Sequence, residues 1–183
     1  MTDLIDYGPL DALAGNWKGD KGKDVSPEPD GKEENPYYES ILFEKVGDAK
    51  NAEKQTLAAL RYHQVVTRKS DGKVFHNETG YLLWDAENNT VMQTLSIPRG
   101  VALVAGGVCA DPASGKISVR AAAGDPDWGI AQSPFMRDNA KTLEFTHNIA
   151  VTGDTLQYNE TTVLEIYGTR FDHTDENTLR RTD

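Results

Sequence analysis

Four histidines and a few carboxylates carry most of the chemistry available to this 183-residue chain. The stretch "VFHNETGYLLW", Val74 to Trp84, places His76 and Glu78 in one alternating row with Leu82 and Trp84. For an imidazole and a carboxylate on a row that ends in tryptophan, alternation leaves open which face of the strand points inward. A second pair comes from "KTLEFTHNIAVTGDTLQYNE". If Gly153 and Asp154 form a two-residue turn, Val151 faces Leu156, Ile149 faces Tyr158, His147 faces Glu160 and Phe145 faces Thr162. The row Leu143, Phe145, His147, Ile149, Val151 is the apolar one, so His147 and Glu160 should meet inside. Such a pair is either a hydrogen-bonded structural pair or a polar contact for a ligand. On the first of these, Glu160→Gln should destabilise less than Glu160→Leu. His63 reads as an ordinary strand histidine, and His173 sits late, in "FDHTDENTLRR". Cys109 has no flanking base and reads as a small buried hydrophobe. No phosphate loop, nucleophile elbow or zinc-ligand spacing occurs.

The elements that must position these groups are strands. "YGPLDALAG" predicts one short helix, started by Pro9 and ended by Gly15, with Trp17 packing against it. After it come short alternating runs divided by turn residues. "DKGKDVSPEPDGKEENP" reads as a long exposed loop. "QTLAALRYHQVVTRK" and "VFHNETGYLLW" flank "SDGK", a hairpin signal. Counting from a two-residue Asp71-Gly72 turn sets His76 opposite Thr67 and Glu78 opposite Val65. That register puts His76 and Glu78 on one face with Arg61 and His63. Leu60, Tyr62 and Val66 then fall on the other, uncharged face. Pattern alone makes the uncharged face the core, unless a β-bulge reverses it. "DPDWGIAQSPFMRDNA" is a second irregular segment, with a helical turn after Ser133-Pro134, placed to cover a barrel mouth. The chain thus predicts an all-β fold in a single domain over residues 1–183. Its architecture is a closed antiparallel up-and-down barrel of about ten strands with a short N-terminal helix.

Composition narrows the partners. A net charge of −10 argues against nucleic acid and anionic membrane surfaces. One cysteine fits a reducing compartment, and the first ten residues lack the pattern of a signal peptide, so the expected location is cytoplasmic. The expected partner is a small molecule, and a homodimer stays open.

Several motifs, taken in order, resemble the nitrobindins. These are haem-binding β-barrels, similar in shape to fatty-acid-binding proteins and lipocalins, that also form the C-terminal domain of some THAP proteins. The motifs are "LAGNWKGDKG", "VFHNETGYLLW", "SIPRGVALVAGG", "GDTLQYNETTV" and His173 followed by Leu179-Arg180. The resemblance spans Leu10 to Arg180. It implies haem b as cofactor and His173 as the iron ligand. It also implies His76 on the distal side, Gly80 for close backbone approach, and activity on NO and peroxynitrite, the latter isomerised to nitrate. The sequence departs from the pattern at two places. Lys21 replaces a glycine, with Gly22 one place late, and an acidic insertion around Lys23 to Asn35 stands where Tyr-Pro-Thr is expected. Around His173 the apolar neighbours become Thr174, Asp175 and Glu176. Two further readings follow from those departures. One is a haem-free barrel with Arg61, Glu78, His147 or Glu160 as polar anchors in its ligand pocket. The other is a packed barrel whose surface binds a protein.

Overall fold

The alternating runs close into a ring. The computed structural model describes residues 5–182. Its strands are β1 (Gly15–Glu28), β2 (Gly31–Asn51), β3 (Gln55–Arg68), β4 (Val74–Asp85), β5 (Thr90–Ile97), β6 (Val101–Val108), β7 (Lys116–Ala122), β8 (Ile130–Gln132), β9 (Ala140–Thr152), β10 (Thr155–Ile166) and β11 (Thr169–Thr182). Ten of them form a closed antiparallel barrel, in which β11 pairs back to β1 and β9 pairs with β7. The short β8 is an eleventh strand laid on β6, followed by the helix α1 (Pro134–Asn139). Ser133 caps α1 by accepting a hydrogen bond from the Met136 amide.

The N-terminal helix is a 3-10 turn, Gly8–Leu13, and Gly15 begins β1 instead of ending the helix. It plugs one end of the barrel. Leu10, Leu13 and Trp17 are fully buried there. The Trp17 indole donates to the Leu13 carbonyl at 2.7 Å, and the Arg181 guanidinium stacks on the indole at 4.3 Å. Leu60, Leu82, Trp84, Val91, Leu156 and Leu179 complete this packed half.

Three expectations are corrected. The segment expected as a long loop is the far end of the β1–β2 hairpin, with Val25 paired to Glu34 and Glu28 to Gly31. Its acidic and proline content suggested a loop, but Asp24, Asn35 and Tyr37 alternate inward and are buried, which is a strand's signature. A bulge between Gly19 and Gly22 absorbs the misplaced glycine, and Gly22 then lies against the Tyr37 ring, where no side chain fits. The segment that carries His173 is the full strand β11, which closes the ring.

The third correction concerns β3–β4. Arg68 pairs with Lys73 across a longer turn, and Phe75 bulges out between the pairs Thr67–Val74 and Val66–His76. The longer turn slides the strands without exchanging faces. The bulge exchanges them. His76 therefore faces Val66, Glu78 faces Gln64 and Gly80 faces Tyr62. Glu78, Leu82 and Trp84 share the inside with Leu60 and Tyr62, while Arg61 and His63 point out. Gly80 is needed because a Cβ there would strike the Thr94 carbonyl of β5.

Candidate functional site

The half of the barrel away from the plug is hollow. A cavity of about 660 Å³ is walled by Val66, Leu95, Ile97, Leu103, Phe145 and Leu164, with Phe135 and Met136 of α1 and the β1–β2 hairpin end also lining it. That volume suits a small organic ligand or cofactor. The expected lid segment does contribute to the wall, through α1.

Two histidines open onto this cavity. His173 comes from β11 and His76 from β4, four strands apart in the ring of ten (β11, β1, β2, β3, β4). Each is met by acids. His173 Nε2 lies 2.5 Å from Asp24 Oδ1 and 3.4 Å from Asp175 Oδ2. Asp24 is only 2% exposed, and its other oxygen accepts from Asn35 at 3.1 Å. Burial opposes the charge on both partners. The bond nevertheless holds Asp24 below its usual range and lifts His173 above its own, with the Asp175 charge adding to the latter. Asp175 is pushed up to about 6 by burial, against the pull of the His173 charge.

Behind His76 runs a chain of hydrogen bonds into the packed half. His76 Nε2 sits 3.3 Å from Glu78, the Tyr62 hydroxyl donates to Glu78 at 2.5 Å, and the Gln93 amide donates to Tyr62 at 3.0 Å. The Gln93 carbonyl then faces His147 Nδ1 at 3.0 Å, so that nitrogen carries the proton. His147 Nε2 is left buried without a partner, and burial lowers the imidazole pKa to about 4. His76 itself is raised: burial opposes its charge, but the Glu78 hydrogen bond and charge prevail.

The other expected site residues divide. The Gly153-Asp154 hairpin has the expected register, with Val151–Leu156, Ile149–Tyr158, His147–Glu160 and Phe145–Thr162 paired. His147 and Glu160 face each other inside, but at 3.8 Å, because the Nδ1 proton goes to Gln93 instead. Glu160 lines the cavity with no hydrogen bond, and burial, then the Glu78 and Asp175 charges, push its carboxyl well above the usual range. Arg61 is excluded from the pocket. It lies on the outer face, bonded to Glu44 at 2.5 Å, because β3 alternates and turns Leu60 and Tyr62 inward.

Asp24, Asn35, Asp175, Tyr62 and Gln93 were not singled out from the sequence. The available signals were the two-residue spacing of His173 and Asp175 on one strand face, and the alternation Asn35, Tyr37, Glu39 within the supposed loop.

Comparison with known families gives one match over residues 6–181, to the model described as "THAP4-like, heme-binding beta-barrel domain". Among solved structures, the chain is similar to that of Rv2717c from M. tuberculosis. The two share 22% identity over 99% of this chain and 100% of that one, with a TM-score of 0.65, a likeness of fold. No curated protein matches.

Proposed function

Since the chain belongs to the THAP4-like, heme-binding beta-barrel family, we propose that its cavity binds ferric haem b, which His173 would hold as the one protein ligand of the iron while His76 would line the pocket without bonding it. The observation that carries this reading is that His173 and His76 open onto one cavity of about 660 Å³ whose walls include Val66, Leu95, Leu103, Phe145 and Leu164. A flat apolar macrocycle needs such walls, one imidazole and one free face. Arg68 and Arg99 also line the cavity and offer cations to the carboxylates of the group. When bound, ferric haem supplies an iron with an open position at which NO binds or peroxynitrite is converted to nitrate.

The chain's own residues do the rest. His173 would hold the iron through a ring nitrogen, and its Nε2 is bonded to Asp24, whose other oxygen accepts from Asn35. Glu78, braced by Tyr62, orients His76, whose Nε2 proton it accepts. Phe145, Leu103 and Leu95 exclude water, which strengthens the remaining polar contacts. No helix among the described residues is long and apolar enough to cross a membrane. The buried, unpaired Cys109 supports a cytoplasmic setting.

The test is reconstitution with excess hemin. A Soret band at one haem per chain is expected. It should be lost in His173→Ala, and kept in His76→Ala with altered NO binding. Haem retained without His173 and lost without His76 would reverse the assignment. One observation favours a second reading, a haem-free barrel for another small organic ligand: the His173 nitrogen already has a buried acid partner. Failure of the wild-type chain to give a Soret band decides for that reading.

A further inference from the structure

We propose that Asp24, His173 and Asp175 form a binding site for a divalent transition-metal ion, without porphyrin, at the polar end of the cavity. One ligand atom from each of the three residues lies within 4.8 Å of the other two. They come from two neighbouring strands, β1 and β11, with Asp24 paired directly to Asp175 in the ladder. The donor set is one imidazole and two carboxylates. That favours zinc, iron(II), manganese or cobalt over magnesium and calcium, which take oxygen ligands.

The geometry is close to what an ion needs. Bonds of about 2.0–2.1 Å in a tetrahedron separate ligand atoms by about 3.3 Å. The His173–Asp175 separation is 3.4 Å. The His173–Asp24 separation is 2.5 Å, the distance of a shared proton. An ion would replace that proton and open this contact by under about 1 Å, with the Asp24 and Asp175 oxygens within 4.8 Å of each other. Asp24 presents Oδ1 to the imidazole, while its Oδ2 is held by Asn35. That is the second contact which orients a metal-binding carboxylate. Three protein ligands leave a fourth position facing the cavity, the arrangement of a site that also binds a small molecule.

A second observation points to a cation. Glu160 opens onto the same cavity with no hydrogen-bond donor, and Asp175 has only its 3.4 Å approach to His173. The groups facing this end are Asp24, Asp175, Glu78, Glu160, His76 and His173, with Arg68 and Arg99 as the lining cations. Acceptors outnumber donors there, and a divalent ion corrects the imbalance. Two of the three ligands lie at the departures from the pattern that the sequence resembles. Asp24 lies in the acidic insertion, and Asp175 replaces an apolar neighbour of His173. The inference does not require haem; because His173 would serve both, the ion and the haem would compete for it.

The experiment uses the full chain, free of tag and haem, stripped with a chelator and titrated with Zn²⁺ by calorimetry, then with Co²⁺ by visible absorption. One Zn²⁺ per chain is expected. The Asp24→Asn/Asp175→Asn double variant and His173→Ala should each lose at least about 100-fold in affinity, as loss of a ligand does. The intensity of the Co²⁺ bands should fall in parallel. Circular dichroism and hemin titration run alongside. A double variant that keeps the wild-type circular dichroism but no longer binds Zn²⁺ supports the assignment. No Zn²⁺ binding by the wild-type chain, or Zn²⁺ binding unchanged in the double variant, overturns it. Zn²⁺ binding without any Soret band leaves the metal site standing and removes the haem reading; the opposite result does the reverse.

Discussion

At the scale of single residues, the decisive contact is Asp24 with His173, and it sets a competition. The Nε2 that meets Asp24 cannot also bind an iron while that bond stands. Asp24→Asn keeps the shape and removes the charge, so hemin affinity should rise several-fold in this variant, read from the Soret titration. Its cost in stability has a defined pH window. The Asp24 pKa is depressed, so its contribution is present above the ordinary carboxylate value and lost as pH falls through the folded one. The His173 pKa is raised, so its contribution is present below the ordinary imidazole value and lost as pH rises through the folded one. The deficit of Asp24→Asn should therefore be greatest between about pH 3.9 and 6.5. It should be about 1.5–3 kcal/mol for a charged hydrogen bond, read as the difference in urea midpoints. Glu160 reverses the ordering its facing histidine suggested. It makes no hydrogen bond, and its raised pKa costs stability above the ordinary glutamate value. Glu160→Leu should therefore match or exceed the wild-type melting temperature at pH 8 and lose that advantage near pH 4. The sequence made His147, Glu160, His76 and His173 visible because histidines are few and turns fix register. It hid Gln93 and Tyr62, because nothing local says which polar residue a buried imidazole will choose.

At the scale of elements, the tight Gly153-Asp154 turn was fully legible, and every pair counted from it is present. The Asp71-Gly72 turn was not, because one bulged residue, Phe75, exchanges the two faces of β4. Hydrophobic pattern already held the answer in conflict form. Both Leu82–Trp84 and Leu60–Tyr62 wanted the inside, and a bulge is the backbone's way to grant both. The β1–β2 hairpin was missed for a related reason. Its outward row is Lys, Val, Glu and Pro, and its inward row is polar, since Asp24 and Asn35 bond each other instead of packing in the core. Beyond the pair Val25–Glu34 this hairpin lines the cavity and makes none of the barrel's closing pairs. Replacing residues 26–33 with an Asn-Gly turn should keep the strand-rich circular dichroism and shift the melting temperature by only a few degrees. Dissociation of bound hemin should accelerate by at least several-fold in stopped-flow transfer to a scavenger. Unfolding of this variant would mean the hairpin is a structural strut and not a rim.

At the scale of the whole molecule, the barrel divides its labour along its axis. The plugged half holds the 3-10 turn, Trp17, Leu60, Leu82, Leu156 and Leu179 in contact, and the other half is left hollow for a ligand. Hydrophobic burial in the first half must therefore offset the buried acids and imidazoles of the second. Trp17 tests this division best, being fully buried, bonded to Leu13 and covered by Arg181, while the cavity wall does not include it. Trp17→Ala should cost about 3–5 kcal/mol, read from urea unfolding. Because the ring lies outside the cavity, hemin or Zn²⁺ affinity measured on the fraction still folded should stay within about twofold of wild type, since distant sites act independently. A cost well under about 1 kcal/mol would mean the plug contributes little to the core. A large loss of affinity at full folding would mean that the two halves are coupled through strands that run the length of the barrel, β1 and β11 above all. Those two strands carry Trp17 and Leu179 at one end and Asp24 and His173 at the other. The independence expected here holds only if the bulge between Gly19 and Gly22 absorbs the strain between them.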